Sequence, residues 1–114
     1  MKSILICAIM TATILVPSVA LANMELAKKN NCLACHAPDK KVVGPGYRDI
    51  AKKYAGKKGM EEVLFNRVKK GATVKELNWK AVTGGVPMPP NDKQVTDEDL
   101  RTLIKWILAG AKDA

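Results

Sequence analysis

The sequence predicts a small all-α domain. Three observations carry this. Apolar residues recur at helical spacing in at least three segments, Gly and Pro fall at the ends of those segments, and no run alternates like a strand. The helical segments are short and the loops between them are rich in Gly and Pro.

Residues 1–22 read as a secretory signal. Lys2 supplies a positive start, Ile4 to Val16 is apolar apart from two threonines, and Ala20-Leu21-Ala22 fits a small-x-small cleavage site. The rival reading is a retained anchor, because the uncharged run Ile4 to Ala22 approaches the length of a membrane span. The short apolar part and the good cleavage site favour removal. Cys7 lies inside this segment, in the wrong place for a lipoprotein cysteine, and reads as a passenger. Removing residues 1–22 from 114 leaves 92, a single domain over 23–114 with a marginal apolar core of its own.

The elements of that domain follow in order. Asn23 can cap a first helix running to about Cys35. Residues 37–46 are a loop, punctuated by Pro38 and Gly44-Pro45-Gly46. A second helix covers about 47–55: Tyr47, Ile50, Ala51 and Tyr54 lie at i, i+3, i+4, i+7, and Gly56 follows. A third covers about 60–70, with Met60, Leu64 and Val68 on one face and Gly71 beyond its end. Residues 71–95 form a long irregular stretch, and long loops in small domains usually have a function. The last helix starts at the N-cap Thr96, with Asp97 and Glu98 near its positive end. Leu100, Leu103, Ile104, Ile107 and Leu108 make its apolar stripe and Gly110 ends it.

The chemistry concentrates in Cys32-Leu33-Ala34-Cys35-His36. Cys-x-x-Cys-His is the attachment signature of c-type haem. Two thiols on one turn can each add to a haem vinyl group, and the adjacent imidazole then supplies an axial ligand to iron. A thioredoxin-like site shares the Cys spacing but follows a strand, and none precedes Cys32. A zinc site needs about four ligands, whereas past residue 22 the chain has two cysteines and one histidine. A plain disulfide gives no reason for His36.

With His36 the only histidine, the sixth iron position falls to a methionine, to a weaker group, or stays open. Met24 precedes Cys32 on the same helix and cannot reach the opposite haem face. Met60 sits on an apolar helix face, where packing explains it. Met88 lies in Val86-Pro87-Met88-Pro89-Pro90-Asn91, where flanking prolines stiffen the loop and lower the entropy lost on ordering it. The ligand set read here is His36 and Met88. A thioether raises the potential relative to a second imidazole, and a six-coordinate iron leaves no site for oxygen or peroxide.

The formal net charge is +8, and losing Lys2 makes it +7. A small domain this basic implies an acidic docking partner. The lysines come in scattered pairs without aromatic interleaving, which argues against nucleic acid.

On these residues the chain resembles a small bacterial class I cytochrome c, of the monohaem c-551/c-552 type. The resemblance covers essentially residues 24–109. It rests on Cys32-x-x-Cys35-His36, Val43-Gly44-Pro45, Pro87-Met88-Pro89-Pro90-Asn91 and Lys105-Trp106-Ile107-Leu108. It implies about four helices wrapped around one covalently bound haem c, with the first and last helices crossing. It also implies that Pro45 offers its carbonyl to His36 Nδ1–H, and that Asn91 directs its amide toward the Met88 sulfur. Arg67 and Trp79 would reach a haem propionate. One departure is the segment Thr73 to Trp79, several residues longer than in the short form of the family and expected to add a helical turn over the propionate edge.

The resulting expectation is a periplasmic one-electron carrier, monomeric, not an enzyme, and not inserted in the membrane once the signal is removed. Its partners would be acidic-surfaced redox proteins: a quinol-oxidising complex as donor, and a terminal oxidase or nitrogen-oxide reductase as acceptor. The second reading is a ligand-binding or sensor haem protein with a labile sixth ligand. A peroxidase reading lacks a spare histidine for distal acid–base work. A haem-free dithiol carrier would be colourless.

Overall fold

The computed structural model describes Ala12 and residues 19–112, so most of the segment read as a signal lies outside the described residues. Five α-helices follow in chain order: α1 Val19–Lys29, α2 Tyr47–Tyr54, α3 Met60–Lys70, α4 Lys80–Thr83 and α5 Asp97–Leu108. Single 3₁₀ turns occupy Cys32–Ala34 and Val74–Glu76. The all-α expectation holds: among the described residues, β pairing is confined to two isolated bridges, His36 with Lys41 and Ala72 with Met88. No helix among them is long and apolar enough to cross a membrane.

α5 is the element on which the others pack; α1, α2 and α3 all contact it. Its N-terminus is built as its sequence demands. The Thr96 hydroxyl accepts from the Asp99 N–H at 3.2 Å, satisfying one of the orphan donors of the first turn. Leu100, Leu103, Ile104 and Trp106 are buried along its inner face. They join Ala27 of α1, Tyr47 of α2 and Phe65 of α3 in one core. Each large aliphatic side chain fully buried there is worth about 1.5–3 kcal/mol.

α3 lies against α5 through its aromatic and charged residues. The Arg101 guanidinium stacks 3.9 Å from the Phe65 ring centre, and its Nη1 meets Glu62 Oε2 at 3.0 Å. Lys69 pairs with Asp97 at 2.8 Å. These contacts are at the surface, so they set the alignment of the two helices more than they add stability.

The first helix departs from the expectation. In the uncleaved chain the helix already runs from Val19, and Asn23 is buried within it rather than capping it. It also stops at Lys29 rather than near Cys35. Asn31 takes the left-handed conformation, φ 58°, which Asn tolerates better than most residues. That residue ends the helix, and the Cys32–Ala34 turn follows as a separate element.

The stretch 71–95 is also more ordered than its sequence implied. It holds the second 3₁₀ turn, α4 and the Ala72–Met88 bridge. The expected extra turn within Thr73 to Trp79 is present as Val74–Glu76. The Thr73 hydroxyl and N–H donate to Glu76 Oε2 at 2.7 and 2.9 Å, closing that turn on itself.

Candidate functional site

A single cavity of about 260 Å³ brings together every site residue named from the sequence: Cys32, Cys35, His36, Pro45, Arg67, Trp79, Met88 and Asn91 all line it. Its walls include Leu64 and Val68 of α3 and Leu100, Leu103 and Ile104 of α5, so the cavity is cut into the core. Met24 and Met60 do not line it.

The Cys-x-x-Cys-His segment forms one wall. The 3₁₀ turn is closed by the N–H groups of Cys35 and His36, both donating to the Cys32 carbonyl at 3.3 and 3.0 Å. The two thiols are free, Cys32 half-buried and Cys35 exposed. Burial pushes the pKa of the Cys32 thiol up.

His36 is held by the loop that follows. Its Nδ1 lies 2.8 Å from the Pro45 carbonyl oxygen. A carbonyl can only accept, so Nδ1 carries the proton and Nε2 keeps its lone pair for a metal. Burial lowers the pKa of the ring, opposed by the Pro45 hydrogen bond. Both circumstances suit a neutral ligand. Gly44 is there of necessity: a Cβ on it would lie 2.5 Å from His36 Cε1 and 2.9 Å from Nδ1.

Met88 stands on another wall. Its backbone is paired with Ala72, and Gly71, at φ +74°, passes so close that a Cβ would lie 2.6 Å from the Met88 carbonyl oxygen. Asn91 closes the loop differently from the expectation. Its Nδ2 donates to the Pro89 carbonyl at 2.8 Å and to that of Val68 at 3.4 Å, not toward the Met88 sulfur. Its own N–H donates to Val68 and Lys69. The physical reason lies in α3, whose last carbonyls have no partner within the helix. Asn91 satisfies them and in doing so ties the methionine loop to α3.

Arg67 and Trp79 both line the cavity. One Arg67 Nη donates to the Glu76 carbonyl at 2.9 Å. The Trp79 ring carries the Lys53 ammonium 4.3 Å from its centre. Two residues not anticipated from sequence, Tyr54 and Asn78, also line the cavity. Lys53 also donates to the Asn78 carbonyl at 2.9 Å, and Asn78 Nδ2 donates to the Tyr54 hydroxyl at 3.3 Å. Tyr54 was legible only as part of an apolar helix face, and nothing in the spacing pointed to its hydroxyl.

The donor set fits a haem: two free thiols one turn apart, an imidazole with Nε2 available, and a thioether elsewhere on the same apolar cavity. Among the described residues no group of three or more His, Cys, Asp or Glu is placed to hold a metal ion. A small all-α domain built around such a cavity is a c-type haem protein.

The comparisons agree. The family model described as cytochrome c matches residues 24–111. Cytochrome c-552 of Hydrogenobacter thermophilus is 41% identical over 101 residues, 89% of this chain and 94% of that one. Cytochrome c-551 of Pseudomonas aeruginosa is 42% identical over 100 residues, covering 87% and 88%. The crystal structure of wild-type Nitrosomonas europaea cytochrome c552 superposes with a TM-score of 0.66 at 45% identity, over 78% of this chain and 99% of that one. The chain belongs to the cytochrome c family, and it carries one haem c bound covalently through Cys32 and Cys35. Electron transport is the work of this family.

Proposed function

We propose that this protein is a periplasmic monohaem cytochrome c that carries one electron at a time between respiratory complexes, with His36 and Met88 as the axial ligands. The observation that carries the reading is the shared cavity: His36 and Met88 line it, Met24 and Met60 do not. When bound, the haem supplies a reversible ferric–ferrous couple. The chain's residues do the rest. Pro45 holds the Nδ1 proton and so presents Nε2 as the donor. The Ala72 bridge and Asn91 hold the Met88 loop in place, so a weak thioether bond need not order the loop by itself. Arg67 and Trp79, which line the same cavity, would donate to the propionates. The apolar side chains of α3 and α5 that line the cavity would keep water from the iron.

A tethered Met88 disfavours the sensor reading, which needs that ligand to leave. A filled sixth position also disfavours enzymatic chemistry. Exposed lysines on segments bordering the cavity, among them Lys40, Lys41, Lys53, Lys75 and Lys80, suit docking to an acidic-surfaced redox protein. The donor class is a quinol-oxidising complex. The acceptor class is a terminal oxidase or a nitrogen-oxide reductase. Export rests on residues 1–22, with the mature protein beginning at Asn23 and acting as a monomer.

The test is the rate of reduction of the purified holoprotein by membranes that oxidise quinol, followed against ionic strength. Fast reduction that slows as salt is added supports the carrier reading. Failure to be reduced, or reduction indifferent to salt, contradicts the electrostatic docking. The mass of the exported protein tests the processing: it should match residues 23–114 plus one haem.

A further inference from the structure

The thioether bonds anchor Cys32 and Cys35, but they do not set the plane of the imidazole between them and the iron. A histidine ligand can turn about its own Cβ–Cγ bond, and a ring free to turn would change its overlap with the iron orbitals from one molecule to the next. Four consecutive residues, Gly44 to Tyr47, supply three contacts to this ring. Gly44 closes on its Cε1 edge, where there is no room for a Cβ. Pro45 binds Nδ1 at 2.8 Å. The Tyr47 ring lies nearly parallel to the imidazole, 18° between planes and 5.5 Å between centres.

The segment is itself fastened on both sides of His36. The Gly44 N–H donates to the Cys35 carbonyl at 2.7 Å, and the Tyr47 N–H donates to that of Ala37 at 2.9 Å. Tyr47 is 2% exposed and cannot swing away. Its far side meets the Trp106 ring edge-to-face, 5.6 Å between centres at 69°. The Trp106 indole N–H donates to the Lys112 carbonyl beyond the end of α5. The imidazole plane is therefore referred, through one aromatic ring, to the terminal helix.

We propose that Tyr47 is a positioning residue for the axial ligand: its stacked ring, backed by Trp106, fixes the plane in which His36 meets the iron. The proposal rests on His36 being that ligand. A fixed plane means that the ligand field need not rearrange when the electron arrives or leaves, which suits fast transfer.

The test is the proton NMR spectrum of the ferric holoprotein with cyanide added. Cyanide replaces the sixth ligand and is cylindrical, so the order and spread of the four haem-methyl shifts then report the imidazole plane alone. Tyr47→Phe keeps the ring and should keep the wild-type order and spread. Tyr47→Leu and Tyr47→Met remove the ring and should reorder or compress the four shifts. Unchanged shifts in Leu or Met, with only a lower melting temperature, would reduce Tyr47 to a core filler and overturn the proposal. So would a Phe variant whose pattern departs from the wild type, because the stacked ring is then not what sets the plane. If Leu and Met do not assemble, Trp106→Leu removes the ring that backs Tyr47 and should also reorder or compress the four shifts; unchanged shifts there would overturn the proposal. Failure of the underlying ligand assignment looks different: the wild-type cyanide complex itself would lack an imidazole-ligated low-spin pattern.

Discussion

Ala72 and Met88, both lining the haem cavity, exchange both of their backbone hydrogen bonds, at 2.9 and 3.1 Å. This pair fixes where the methionine stands. It explains Gly71 beside it, since a side chain there would strike the carbonyl of Met88 and the backbone of Pro89 and Pro90. The methionine loop is thus held by the segment that leaves α3, not by its own prolines alone.

Gly71→Ala should loosen this arrangement. The residue has φ +74° and its Cβ would lie 2.6 to 2.9 Å from three backbone atoms that have no flexible end to give way. The expected cost is about 1–3 kcal/mol, read by denaturant unfolding of the holoprotein. The Met–iron charge-transfer band should weaken in the same variant while the haem stays attached.

Gly44→Ala acts on the other ligand. The added methyl would overlap the His36 ring, so the ring or the loop must shift and the 2.8 Å bond to Pro45 must lengthen. Overpacking of this kind costs about 1–3 kcal/mol. Unfolding curves of the haem-loaded variant measure it, and a variant as stable as the wild type would count against the close approach.

Glu76 gives a pH dependence with a definite sign. The Thr73 hydroxyl and amide hold its carboxyl below the ordinary carboxylate range. The folded state therefore favours the ionised form more than the unfolded chain does. That contribution is complete above the ordinary carboxylate range and is lost as pH falls through the lowered folded value. Thr73→Val should lower the melting temperature at neutral pH, with the difference from wild type shrinking under acid conditions. Melting curves across that range check it.

Haem supplies much of the interior. Leu100, Leu103 and Ile104 are core residues of α5 and also line the cavity, so without haem they face a void or water. A chain of this size has little other apolar core to draw on. The Cys32→Ala, Cys35→Ala double variant, made without attached haem, should be largely unfolded by circular dichroism. A cooperative, native-like melt of that form would contradict this.

Local pattern made most of the helices legible. The bounds of α3 and the Thr96 cap of α5 follow from apolar spacing and end residues that act within one or two turns. Cys32, Cys35 and His36 were legible because haem attachment demands adjacent residues. What was not legible depends on partners far away in sequence. The Ala72–Met88 bridge, the Asn91 caps on α3 and the Tyr47 stack on His36 join separate segments, and no periodicity encodes them. The end of α1 failed for a local reason: Asn30-Asn31 allows both a continuing helix and a left-handed stop, and the structure takes the stop. The direction of the Asn91 amide differs from the expectation because the carbonyls of Pro89 and Val68 take its donors.

The measurement that decides most is the absorption spectrum of the purified ferric protein, followed by that of the ferrous protein under carbon monoxide, each compared with Met88→Ala. If His36 and Met88 hold the iron, the wild type shows a low-spin haem c spectrum with a Met–iron charge-transfer band. Carbon monoxide leaves its ferrous spectrum unmoved, and Met88→Ala loses the band and binds the gas. A wild-type protein with no such band and a clear carbon monoxide shift would contradict that ligation and turn the reading toward an open, gas-binding iron.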